Sequence, residues 1–158
     1  MILKNYEINK IQNINHFILF YGKNEGLKNE ALNILIKNKN NIVNYDEKEI
    51  LDNENNFIES ILSKSLFEQE KIVVIKRATD KILNILQTLQ LKKLEEVTII
   101  INSENLDKKS KLRSFFEKDK KLVCVPFYPD NDQTLTKLTY NFLRKKNISI
   151  SPSNVNLI

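Results

Sequence analysis

FILFYGKNEGLKNEAL, residues 17–32, runs from a continuous apolar stretch through a two-glycine turn into a segment with helical spacing. Phe17 to Tyr21 carries aromatic and branched side chains without alternation, the pattern of a strand buried on both faces of a sheet. Leu27, Ala31, Ile34 and Leu35 then recur at three- and four-residue intervals, which gathers them on one side of a helix. Gly22 follows the strand and Gly26 opens the helix, the context in which a phosphate loop is found. A working loop has the form G-x-x-x-x-G-K-[ST], because its backbone N–H groups wrap the phosphates, the lysine neutralises charge and the hydroxyl holds magnesium. Here three residues separate the glycines, Leu27 follows Gly26, and Asn29 follows Lys28. Gly22, Gly26 and Lys28 therefore read as a degenerate nucleotide loop, correctly placed but without the groups that would hold a nucleotide.

Outward from this turn the same alternation continues. Ile42 to Tyr45, Ile72 to Ile75, Val97 to Ile101 and Leu122 to Val125 repeat the strand pattern. Phe57, Ile58, Ile61 and Leu62, then Ile82, Leu83, Leu86 and Leu89, then Leu112, Phe115 and Phe116 have helical spacing between them. Strands alternating with helices require right-handed crossovers. The expected fold class is α/β of the P-loop NTPase type: a three-layer sandwich with a five-stranded parallel sheet and a degenerate nucleotide site. A last helix is signalled by Asp130 as cap, Gln133 three residues on and the stripe Leu135, Leu138, Phe142, and it is expected to close the domain. After Lys146 the pattern changes to Ile148, Ile150 and Pro152. The expected organisation is one domain over residues 1–147, with 148–158 as the start of a truncated second, helical one.

The strand ends argue against hydrolysis. In a nucleotide-hydrolysing sheet of this type the third strand ends in acidic residues that bind magnesium and polarise water. This one ends in Lys76 and Arg77, which repel a metal ion. Asn102 closes the fourth strand, where a polar side chain could sense a γ-phosphate, though a capping role explains it as well. No catalytic residue, cofactor or metal site is expected. One histidine, His16, and one cysteine, Cys124, cannot build a zinc cluster or an internal disulfide, and both read as structural.

Composition narrows the class further. The chain has 158 residues, 41% hydrophobic and 28% charged, with no apolar run approaching the ~20 residues of a membrane span. Its N-terminus does not resemble a secretory signal, so a cytoplasmic location and no membrane partner are expected. The net charge of +5 suits an anionic partner. Lys108, Lys109, Lys111 and Arg113 form one basic group and Arg144, Lys145 and Lys146 another, but solvated helix faces account for both more simply.

SKSLFEQE, residues 63–70, sets Leu66 and Phe67 among polar neighbours. Apolar residues in loops usually turn inward. Alternatively the pair projects into a partner's pocket, where two side chains at about 1.5–3 kcal/mol each would anchor an interface. The element order, the turn LFYGKNEGLKNEAL (19–32) and KSLFEQEKIVVIK (64–76) together resemble the N-terminal domain of the delta subunit of bacterial DNA polymerase III, a clamp-loader component. The resemblance covers nearly the whole chain. It implies an AAA+-like fold without ATPase function, in which Leu66 and Phe67 insert into the hydrophobic pocket of the ring-shaped sliding clamp, the beta subunit, and favour an opened ring. Ser65 would fix the helix end, with Glu68 and Gln69 at the rim. Implied partners are the other loader subunits, gamma/tau and delta prime, met through C-terminal domains missing from this sequence, and primed DNA through the complex. Two readings stand beside it: a nucleotide-binding enzyme with an atypical loop, and a basic DNA-binding module.

Overall fold

The computed structural model describes residues 1–11, 17–37, 39–63, 70–92, 94, 96–151 and 154. Five strands, β1 (Phe17–Tyr21), β2 (Ile42–Asp46), β3 (Lys71–Lys76), β4 (Val97–Asn102) and β5 (Val123–Pro126), form one parallel sheet in the order β2-β3-β4-β1-β5. Each lies within a residue of the apolar run that predicted it. β1 is an interior strand, and its Leu19 sits between Ile101 of β4 and Cys124 of β5. Beyond β5, Ile2 makes a parallel bridge to Cys124, with Leu3 N–H donating to Cys124 O and Cys124 N–H to Met1 O, both at 2.9 Å.

Because successive strand residues point to opposite faces, the sheet separates two cores. On one face Ile18, Phe20, Ile72, Val74 and Ile100 pack with Ala31 and Leu27 of α1 (Glu25–Ile36) and with Ile8 of a 3-10 turn at Asn5–Lys10. On the other, Leu19, Val73, Ile75, Ile99 and Ile101 meet Phe57 and Ile61 of α3 (Glu54–Leu62), Leu86 and Leu89 of α4 (Leu83–Gln90), and Leu112 and Phe116 of α5 (Lys111–Lys118). This is the three-layer sandwich that continuous apolar strands demand.

α2 (Glu47–Asp52) has too few apolar residues to show in the periodicity. Its signal is a capping box: Asp46 accepts from Lys48 N–H at 3.1 Å, and Asp46 N–H donates to Glu49 at 2.9 Å.

The chain groups into two compact units, Met1–Phe127 and Tyr128–Ile158. The whole sheet belongs to the first. In the second, α6 (Asp132–Lys145) is capped by Asn131 and not by Asp130. Asn131 accepts from Thr134 N–H at 2.9 Å while the Thr134 hydroxyl accepts from Asn131 N–H at 2.8 Å, so the box sits one residue later than the Asp130–Gln133 spacing suggested. Leu135, Leu138 and Phe142 were expected to be buried in closing the domain; all three are exposed, and α6 buries none of its residues.

Candidate functional site

The strand order places β1 between β4 and β5, with β2 and β3 beyond β4. The turn leaving β1 therefore enters the crevice where ligands bind in sheets of this kind. Here much of the turn is bonded to the chain itself. Gly22 N–H donates to Glu104 O at 3.0 Å, Asn24 N–H to Phe127 O at 3.3 Å, and Glu25 N–H to Lys23 O at 3.1 Å. Ser103 N–H donates to Phe20 O and Phe127 N–H to Tyr21 O, each at 2.8 Å, tying the ends of β4 and β5 to β1. At the start of α1 the Asn24 side chain accepts from Leu27 N–H at 3.1 Å, and Lys28 N–H bonds Asn24 O at 3.1 Å. The amides of Gly22, Asn24, Glu25, Leu27 and Lys28 thus all have acceptors within the protein.

The two glycines differ in what fixes them. Gly22 has φ of 127°, and a Cβ there would lie 2.0 Å from Phe127 O. No other residue fits. At Gly26 a Cβ would meet only the Asn24 side chain, at an ordinary 3.6 Å.

Lys28 points inward. Its side chain is 1% exposed, its ammonium donates to Ser103 O at 2.8 Å, and the carboxylate of Glu25 lies 2.6 Å away. The ammonium is therefore consumed in joining α1 to the end of β4. Beside it the Ser103 hydroxyl is enclosed, with no partner among the described residues.

The neighbouring strand ends carry carboxylates, and these serve as caps. Glu47, nearly buried, accepts from Thr79 N–H at 2.6 Å and from the Thr79 hydroxyl at 3.0 and 2.9 Å. Asp80 accepts from the Ser110 hydroxyl at 2.7 Å, Leu112 N–H at 2.9 Å and Lys111 N–H at 3.0 Å, fastening the β3–α4 connection to the start of α5. Partial burial pushes the Asp80 pKa up, but those three donors outweigh it and hold the carboxyl below its ordinary value. Lys76 is exposed at the end of β3, and Arg77, at φ 55°, pairs with Asp46. Asn102 uses its carbonyl to accept from Ala78 N–H at 3.1 Å. No cluster of three or more His, Cys, Asp or Glu able to hold a metal occurs among the described residues.

The remaining sequence candidates separate. Ser65, Leu66, Phe67, Glu68 and Gln69 lie outside the described residues, as does His16. The flanks of that connection are tied together: Lys71, opening β3, donates its ammonium to Ser60 O of α3 at 2.7 Å. Arg113 is engaged by Glu117 at 2.8 Å, by Leu106 O at 3.1 Å and by the Tyr21 ring at 4.9 Å, whereas Lys108, Lys109 and Lys111 are exposed. Arg144, Lys145 and Lys146 are exposed at the end of α6. Burial pushes the Cys124 thiol up to about 12, so it is inert. The capping roles of Glu47 and Asp80 had no reading in the sequence; Ser110, three residues before Arg113 at a helix start, was the available signal.

No family model matches the chain, and no curated protein does. Solved structures do. A Bacillus subtilis DNA clamp loader delta protein (YqeN) superposes with a TM-score of 0.66 at 16% identity, over 95% of this chain and 49% of that one. The replication initiator DnaA bound to AMPPCP and single-stranded DNA superposes at 0.54 with 18% identity, over 96% of this chain and 52% of that one. The chain thus spans about half the length of the structures it matches. Among the described residues no helix is long and apolar enough to cross a membrane. With its strand order, two-faced core and these superpositions together, the chain has the AAA+-like α/β fold shared by clamp loader delta and DnaA.

Proposed function

We propose that this chain acts in DNA replication as the clamp-binding part of a loader of the bacterial DNA polymerase III type, a delta-like subunit that does no nucleotide chemistry. The observation that carries the reading is the fold shared with the clamp loader delta protein over 95% of the chain. The turn after β1 supports its non-catalytic half: the amides of Gly22, Asn24, Glu25, Leu27 and Lys28 are bonded internally, and the Lys28 ammonium is spent on Ser103 O. An enzyme built on this turn would first have to break those bonds.

In this reading residues 1–147 are the AAA+-like part and 148–158 begin the next domain, in a cytoplasmic protein. Leu66 and Phe67 enter the apolar pocket of the sliding clamp, with Ser65 holding the end of the preceding helix. Binding the opened ring more tightly than the closed one is sufficient to favour opening, and no bond is made or broken. The gamma/tau and delta prime subunits would assemble through parts beyond residue 158, and primed DNA would be met in that assembly.

Capture on an immobilised sliding clamp tests this. Leu66→Ala/Phe67→Ala is expected to lower affinity by about 100-fold or more, since two anchors of about 1.5–3 kcal/mol each are removed, with the circular dichroism unchanged. Unchanged affinity would sink the plug. The match to DnaA bound to AMPPCP raises a second reading, a nucleotide-binding protein. Calorimetry with ATP and magnesium separates the two, and measurable heat of binding favours the second.

A further inference from the structure

α6 has two dissimilar sides. At about 100° per residue, Leu135, Leu138 and Phe142 fall on one, and Gln133, Lys137, Tyr140, Asn141 and Arg144 on the opposite one. The second side borders two surface hollows. One, about 420 Å³, runs along Asp132, Gln133, Thr136, Lys137, Tyr140 and Asn141. The other, about 620 Å³, lies between Tyr140, Asn141 and Arg144 of the helix and the segment from Asn147 to Ile150.

Charge is segregated along the same helix. Asp130 and Asp132 stand at its start, whereas from Gln133 to Ile158 the sequence has Lys137, Arg144, Lys145 and Lys146 and no aspartate or glutamate. All four cations are exposed, and among the described residues none of them pairs with a carboxylate. A track of cations beside an aromatic ring, carboxamides and open hollows matches an anionic backbone that carries unstacked flat rings.

We propose that this side of α6 binds a single-stranded nucleic acid. Lys137 and Arg144, about two turns or roughly 10 Å apart along the helix, contact backbone phosphates. Tyr140 stacks a base lodged in the hollow, with Asn141 and Asn147 offering amide donors, while Lys145 and Lys146 fall toward the other side of the helix end. An anionic bilayer would instead take the helix by Leu135, Leu138 and Phe142, leaving Tyr140 and both hollows in water. This contact goes beyond clamp docking and does not rest on it, because the two use different residues and each can be lost alone.

The test is fluorescence anisotropy of the full chain with a labelled oligothymidylate across a salt series. Two phosphate contacts predict a log–log salt slope of about −1.4, at roughly −0.7 per contact for a single strand. Lys137→Ala/Arg144→Ala should flatten it by about 1.4. Tyr140→Ala should weaken binding about fivefold or more and leave the slope unchanged. Lys118→Ala/Lys121→Ala, an equal charge change elsewhere, should alter neither. All substituted side chains except the half-buried Tyr140 are exposed, and circular dichroism verifies the helix in each variant. Absence of binding, or binding indifferent to Lys137→Ala/Arg144→Ala, overturns the proposal. So does retention on phosphatidylserine vesicles that depends on Leu135 and Phe142 without oligonucleotide binding.

Discussion

The turn after β1 and helix α6 dispose of their characteristic groups in opposite ways. At the turn, a lysine, a glycine and five amides are committed inside the fold: Lys28 is 1% exposed, Gly22 abuts the carbonyl of Phe127, and the N–H groups of Gly22, Asn24, Glu25, Leu27 and Lys28 have acceptors within the chain. On α6, four-residue spacing and a capping box build an equally regular helix, yet Leu138 is 54% and Phe142 60% exposed. The comparison teaches that a motif's position does not reveal whether its groups face inward or outward. At a place where a ligand is expected, the groups serve stability. At a place where core is expected, apolar side chains stand exposed.

Substitution should separate the two regions in order of size. Gly22→Ala adds a Cβ against Phe127 O in a backbone region closed to alanine, and is expected to cost about 3 kcal/mol or more in urea unfolding. A cost near zero would mean the turn is looser than its bonds indicate. Lys28→Ala strands Ser103 O and opens a gap, at about 2–4 kcal/mol. Lys28→Met, which keeps the stem and removes the buried charge, should cost less.

Asp80→Ala removes the donors' common acceptor at the start of α5 and should cost about 1 kcal/mol at neutral pH. Because the folded pKa is depressed, this stabilisation is complete above the usual carboxylate value of about 3.9 and is lost as pH falls through the lower folded value. The difference between Asp80→Ala and the parent should therefore close in acid, and a gap independent of pH would contradict the assignment. The smallest effect is expected on α6, where Phe142→Gln should stay within about 0.5 kcal/mol. A core-sized loss there would erase the contrast between the regions.

The strands were legible because burial on both faces forces uninterrupted apolar runs, and each predicted range lies within a residue of the observed one. α2 was missed because six residues with two apolar side chains carry no period, although Asp46 and Glu49 spell a capping box. At the candidate site the sequence reading placed the turn and noted which groups were out of position. It could not tell where the Lys28 ammonium goes, since that depends on Ser103, 75 residues away. The exposed stripe of α6 was unreadable for a related reason: amphipathic spacing records that a helix has an apolar side, not what covers it.

The bridge between Ile2 and Cys124 has a consequence for how the protein behaves at high concentration. β5 borders the sheet, and an uncovered border strand offers a row of free amides and carbonyls to any neighbouring molecule. Met1 to Leu3 occupy those groups at Cys124, while the amino group of Met1 donates to the carbonyls of Leu122 and Asp119. Leu3→Pro, which removes the amide that bonds Cys124 O, would loosen the three-residue cover and invite edge-to-edge self-association.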